Sequence, residues 1–252
     1  MQSPEDSILL RVEGLTKHFE GLAAVDGVDI EVRRGELRAI IGPNGAGKTT
    51  FFSLVSGGLT PTAGKVYFNG EDITAFPPDR IVKKGIGRTF QVTSIFPNLT
   101  AVDNIQSAIQ GRKGSPHPFR SLHSLRDTWE QAQETLELLG MGDRANVLVS
   151  ELSHGEQKLV DIGIALGSDP EMLLLDEPTA GLGAASTHAM TDKIQRLSET
   201  RTIMIVEHDM KVIMTLAERI SVLHHGKMLA EGTPDEIQAD AEVRRVYLTR
   251  GV

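Results

Sequence analysis

Near the start of the chain, apolar and polar residues alternate in short stretches that glycines separate. Ile8-Leu9-Leu10-Arg11-Val12 and Val28-Asp29-Ile30-Glu31-Val32 follow the pattern of strands, with Gly14, Gly21, Gly27 and Gly35 as punctuation. Leu37-Arg38-Ala39-Ile40-Ile41 is a further apolar run of strand length, and after a glycine cluster residues 49 to 55 begin a helical segment. Residues 57 to 64 are dense in turn formers, and Lys65-Val66-Tyr67-Phe68 before Asn69-Gly70 predicts a strand running into a tight turn. Gly85-Ile86-Gly87-Arg88-Thr89-Phe90-Gln91 reads as a strand that ends on a polar residue.

From about residue 92 to 167 the pattern becomes helical. Leu122, Leu125, Trp129, Ala132, Leu136 and Leu139 recur at spacings of three and four, with a glycine- and proline-bearing loop predicted over 111–118. This stretch reads as an inserted helical subdomain. Ser153-His154-Gly155-Glu156 opens a helix continuing through Leu159, Ile162 and Ala165, with Ser153 and Glu156 spaced as a capping box. The uninterrupted apolar runs Met172-Leu173-Leu174-Leu175 and Thr202-Ile203-Met204-Ile205-Val206 read as buried strands. Ile220 to Leu223 and Lys227 to Ala230 predict a closing hairpin around His224-His225-Gly226, before a short helix from about Pro234 and a tail through Tyr247 and Leu248.

Composition narrows the classes. At 252 residues the chain can bury a substantial core, as one large domain or a domain with an insertion. It has no cysteine, which excludes disulfides and thiolate metal sites. No apolar run approaches the ~20 residues of a membrane-spanning helix, so the chain is expected not to cross a bilayer by itself. Residues 1 to 6 carry neither a basic nor an apolar leader pattern, and the expected compartment is the cytoplasm. A net charge of −8 argues against a broad nucleic-acid footprint, though a local basic patch stays possible.

The candidate chemistry centres on Gly42-Pro43-Asn44-Gly45-Ala46-Gly47-Lys48-Thr49-Thr50, which has the spacing of a phosphate-cradling loop between a strand and a helix. Its glycines can take positive φ and let several N–H groups converge on an anion at the helix start. Lys48 would reach the outer phosphates and Thr49 would offer its hydroxyl to magnesium. Asp176 and Glu177 follow a buried strand; beside a phosphate loop, such a pair can hold magnesium and polarise an attacking water. His208 ends a second such strand, where ligands bind in open parallel sheets. Phe19 is either an aromatic face for a purine or a core side chain, and Ser153 is either a cap alone or part of a second anion-ready helix start.

Together these motifs resemble the ATP-binding cassette of ABC transporters over essentially the whole chain. Residues 42 to 50 are similar to that family's Walker A, Leu173 to Glu177 to its Walker B with the catalytic glutamate, and Leu152-Ser153-His154-Gly155-Glu156-Gln157 to its signature. Gln91 stands in the place of its glutamine loop and His208 in that of its switch histidine. The resemblance implies an α/β fold, a P-loop NTPase core of ABC-cassette type with an antiparallel β subdomain and an inserted helical subdomain. The core would cover about residues 8–91 and 169–231, the helical insertion about 92–168, and a C-terminal tail about 232–252.

It also implies ATP and magnesium as cofactors and ATP hydrolysis as the activity. Phe19, Gly42, Pro43, Asn44, Gly45, Ala46, Gly47, Lys48, Thr49, Thr50, Ser153 and Gly155 would hold nucleotide. Thr49, Gln91 and Asp176 would hold magnesium, while Glu177, His208 and Gln91 would act in hydrolysis. Two cassettes, identical or paralogous, would meet head to tail, with each Ser153 helix on the partner's nucleotide. His154 and Glu156 stand where the signature has Gly and Gln, so the γ-phosphate contact falls to Ser153 and the Gly155 backbone. Gly183 replaces an aspartate of the loop after Glu177, removing or changing a polar contact across the dimer.

Arg88-Thr89-Phe90-Gln91, Val206-Glu207-His208-Asp209-Met210, Ala230-Glu231-Gly232-Thr233-Pro234 and Val246-Tyr247-Leu248 look like the ATPase subunits of branched-chain amino acid importers and their urea and amide relatives. Lipopolysaccharide exporters share several of these stretches. The implied partners are transmembrane permease subunits and, through them, a solute-binding protein, with the chain peripheral at the cytoplasmic face of the cell membrane. A soluble ABC ATPase acting on ribosomes or DNA is the competing class, disfavoured by the single cassette and acidic balance. A GTPase would need an Asn-Lys-x-Asp stretch, which is absent.

Overall fold

A computed structural model describes residues 7–89, 95–112 and 122–246. The alternating stretches near the start form two long antiparallel strands, β1 (Ile8–Phe19) and β2 (Leu22–Arg33), joined at Glu20 and Gly21. Both turn residues have positive φ, the twist that suits a two-residue hairpin. The strands are longer than the pattern predicts. Gly14 and Gly27, expected as breaks, sit inside them at φ 55° and 64°, and the register slips between Val12 and Leu15. These are bulges, which bend a strand without ending it. β4 (Ala63–Phe68) pairs with β1, and β5 (Glu71–Asp72) with β4, completing an antiparallel sheet of order β2-β1-β4-β5.

A second sheet has the order β10-β9-β3-β8-β7-β6. It contains β3 (Leu37–Ile41), β6 (Ile86–Arg88), β7 (Met172–Asp176), β8 (Thr202–Val206), β9 (Arg219–His224) and β10 (Lys227–Gly232). All its neighbours run parallel except the β9–β10 hairpin. Ile40, Leu174 and Met204 pack toward the antiparallel sheet and α1 (Lys48–Val55), while Ala39, Leu173 and Ile205 pack toward the other helices. Burial of both faces is why these strands read as continuous apolar runs.

The remaining helices are α2 (Pro78–Lys84), α3 (Ala101–Arg112), α4 (Leu122–Leu138), α5 (His154–Leu166), α6 (Ala184–Ser198), α7 (Met210–Leu216), α8 (Pro234–Ala239) and α9 (Ala241–Val246). Ile105, Ile109, Ala132, Leu136 and Leu139 join α3, α4 and α5 in one core, as the helical spacing predicts for the α4 positions. Trp129 departs from that spacing: it is 40% exposed. The side chains of Leu122 and Leu125 lie outside the described part. Gly111 and Arg112 still belong to α3, so the loop expected over 111–118 starts later, and residues 113–118 are outside the described part. The tail through Tyr247 and Leu248 is outside it too.

Register places the site. Ile40 and Asp176 both stand level with Val206, so β3, β7 and β8 end side by side. The chain leaving each strand therefore arrives at one edge, where ligands collect in parallel sheets.

Candidate active site

β3 delivers Gly42 to that edge, and the following loop packs so tightly that side chains are excluded at two points. A Cβ at Gly42 would lie 2.1 Å from the Leu223 carbonyl oxygen, and one at Gly47 would lie 2.3 Å from the Ala24 oxygen. Gly47 also has φ 103° and caps α1 without any side-chain hydrogen bond, leaving the first-turn N–H groups to a ligand. The loop is tied to the β9–β10 turn, where Gly226 donates to the Ala46 carbonyl oxygen at 3.0 Å and accepts from the Asp26 N–H at 2.8 Å. Lys48 folds over the loop, its Nζ 2.7 Å from the Gly42 oxygen and 3.1 Å from that of Pro43. Burial lowers its pKa, opposed by the charges of Glu177 and Asp176.

Phe19, Asn44 to Thr50, Glu177 and His208 line one cleft of about 740 Å³, together with Ala23, Ala24 and His225. Phe19 ends β1 and is 43% exposed, which removes the core reading and presents the ring to the cleft. If it stacks on adenine, Phe19→Ala raises the ATP dissociation constant by an amount matching ~1–3 kcal/mol, the range of aromatic–base stacking, whereas Phe19→Tyr changes it little. Titration calorimetry checks this, and unaltered affinity in a folded Phe19→Ala protein would discard the stacking role.

Asp176 is buried at the end of β7. Its Oδ2 faces Arg88 Nη2 at 3.3 Å, and Arg88 also donates to Ser53 Oγ at 3.1 Å and Ser56 Oγ at 2.8 Å. Its Oδ1 is buried with no hydrogen-bond partner. Burial raises the Asp176 pKa, and the Arg88 guanidinium opposes the rise. An orphaned buried carboxylate oxygen is costly, and it fits a cation or a cation-bound water. With the Thr49 hydroxyl at the start of α1 the donors are hard oxygens, the set magnesium takes.

Glu177 follows in the left-handed region at φ 50°, uncommon outside glycine. Its Oε1 lies 2.7 Å from His208 Nε2, so the strand ends of β7 and β8 join their side chains at the cleft. The pair has the geometry of a water-orienting carboxylate held by an imidazole.

Ser153 and Gly155 are expected on a partner's nucleotide, not in this cleft. Both stand at the start of α5 and are not among the residues lining the cleft. Ser153 Oγ and the Glu156 carboxylate complete the capping box, and Arg144 pairs with Glu156 at 3.2 Å. The Ser153 hydroxyl and N–H, donating to the Glu156 carboxylate, hold its pKa down. Gln91 lies outside the described residues. Three groups behind the cleft were not anticipated: Arg88, Lys158 on α5, and Glu207, which accepts from the Thr179 N–H and Oγ1, each at 2.7 Å. The available signal was a charge at the end of an apolar strand for Arg88 and Glu207, and none for Lys158.

Comparison with known proteins gives the family and the fold. A family model described as ABC transporter matches residues 25–180, and one described as branched-chain amino acid ATP-binding cassette transporter matches residues 227–248. The chain is 37% identical over 251 residues to the high-affinity branched-chain amino acid transport ATP-binding protein BraF of Pseudomonas aeruginosa, covering 95% of this chain and 97% of BraF. It is similar to a solved ATP-binding cassette of an ABC transporter in its ADP conformation, at TM-score 0.83 and 31% identity over 96% of this chain and 98% of that one. It is also similar to a cassette solved as a dimer in a post-hydrolysis state bound to ADP and Pi, at TM-score 0.77 and 26% identity over 90% and 99%.

Proposed function

The chain belongs to the ABC transporter family of ATP-binding cassettes and is an ATP-hydrolysing subunit; from that premise we propose that it powers import of branched-chain amino acids or a related small polar solute. The observation that carries the ATP-driven part is the convergence of Phe19, the phosphate loop, Glu177 and His208 on one cleft with Asp176 behind it. The name of BraF and the second family match support the solute class.

In this reading adenine lies on Phe19, and the phosphates lie on the loop N–H groups and Lys48. Thr49, Asp176 and Gln91 would hold magnesium, which would supply positive charge to neutralise the outer phosphates. Glu177 orients and polarises the water, and His208 holds that carboxylate while facing the terminal phosphate. A second cassette meets the first head to tail, so that Ser153 Oγ and the Gly155 N–H address the partner's nucleotide. The dimeric post-hydrolysis relative supports that arrangement.

No helix among the described residues is long and apolar enough to cross a membrane. Transport therefore needs permease subunits, with the cassette peripheral at the cytoplasmic face and a solute-binding protein beyond the permease. Phe96, Leu99 and Leu148 are exposed side chains drawn together by the hydrogen bonds from Leu99 N–H to Phe96 O and from Val149 N–H to Leu99 O, a surface suited to an apolar partner. Purification from native membranes should yield the cassette with permease subunits, and deleting it should abolish leucine uptake. Normal uptake of leucine, isoleucine and valine in the deletion strain would reject this solute class. Copurification with ribosomes in place of permeases would reject transport.

A further inference from the structure

Lys158 sits on α5, five residues after the Ser153 cap. Its Nζ donates to the backbone carbonyl oxygen of Glu177 at 2.8 Å. Lysine ammonium groups normally stay in water; this one is half-buried, and burial lowers its pKa against the opposing charges of Glu207, Asp161, Glu177 and Asp176. Glu177 has a backbone that must be held, at φ 50°, since a left-handed conformation persists for a non-glycine residue only when its surroundings over-determine it.

The determinants can be followed bond by bond. The Glu177 N–H donates to the Val206 oxygen at 2.9 Å, and the Ala180 N–H donates to the Glu177 oxygen at 3.2 Å. Glu207, only 2% exposed, holds the turn from the other side through Thr179. These bonds come from the neighbouring strand β8, its end, or the turn itself. The bond from Lys158 comes from a helix of another layer.

We propose that Lys158 is a positioning residue for hydrolysis: by pinning the Glu177 carbonyl it fixes the left-handed turn that aims the Glu177 carboxylate at His208 and the cleft. The catalytic carboxylate is thereby aligned only while α5 is seated against the sheet. This rests on the reading of Glu177 as the water-orienting group.

The test uses the full chain. Lys158→Met, Lys158→Arg, Glu177→Gln and the double variant Lys158→Met/Glu177→Gln are compared for steady-state ATP hydrolysis and for ATP affinity by calorimetry. Lys158→Met should lower kcat by ~10–100-fold, as misplacing a reacting group by about 1 Å does, with ATP affinity and melting temperature close to the parent. Lys158→Arg should restore most of the rate. The double variant should be no slower than Glu177→Gln alone, because nothing remains to position. A parent-like kcat in Lys158→Met overturns the proposal, as does a loss of ATP affinity matching the loss of rate, or full additivity in the double variant. If Lys158→Met does not fold, Lys158→Gln is read by the same criteria. Parent-rate hydrolysis by Glu177→Gln would instead mark the reading of Glu177 as the one that fails.

Discussion

Glu177→Gln slows ATP hydrolysis by ~10²–10⁴ while ATP still binds, because removing a base or water-orienting carboxylate forfeits about that much and leaves the phosphate contacts in place. The substitution keeps the size of the side chain and a polar atom for His208, now 2.7 Å from Oε1. It also keeps the backbone bond from Lys158, which goes to the carbonyl and not to the side chain. Fold and nucleotide affinity should therefore survive the loss of charge. Lys48→Ala, by contrast, should weaken binding itself, since Lys48 lies over the phosphate loop. Steady-state hydrolysis measured beside calorimetric ATP affinity separates the two, and a Glu177→Gln protein turning over at the parent rate removes Glu177 from the mechanism.

In the same hydrolysis-deficient background, ATP with magnesium should shift the protein from monomer to dimer on size exclusion at high protein concentration. A ligand bound between two subunits stabilises their association by mass action, and slow hydrolysis lets it persist. Adding Ser153→Arg should abolish the shift, because the larger side chain fills the interface and the α5 cap is lost. Cap removal alone costs about 0.5–2 kcal/mol of local helix stability. ATP should stay bound to the phosphate loop, since Ser153 is not among the cleft residues of its own chain. Equal dimerisation of Ser153→Arg and its parent would reduce Ser153 and Glu156 to a capping box.

Much of this site was legible because its parts lie in single contiguous stretches. The phosphate loop, the strand ending at Asp176 and Glu177, and the strand leading to His208 each announce themselves by apolar runs that stop at polar residues. Glycines misled where tertiary pairing overrides local preference: Gly14 and Gly27 look like strand ends and are bulges in long strands. Trp129 shares the helical spacing of the core yet faces outward, since periodicity marks a face without setting how far packing extends over it. The bonds of Lys158 to Glu177 and of Arg88 to Asp176 and Ser53 join stretches 19, 88 and 35 positions apart. No local pattern carries such pairings; the register of β6 beside β7 and the packing of α1 and α5 on the sheet create them.

The bonding of Gly226 to Ala46 and Asp26, with Gly42 pressed on Leu223, has a consequence for how the molecule opens. The phosphate loop is tied against fraying alone, because its backbone shares a hydrogen bond and a close contact with the β9–β10 hairpin, and α8 follows that hairpin directly. Loop, hairpin and the helices after it should open as one unit, so the amides of Gly42, Asn44, Gly45 and Ala46 and those around Gly226 should exchange with solvent together. Nucleotide bound to the loop would slow that shared exchange and thereby secure a stretch of chain far along the sequence from any phosphate.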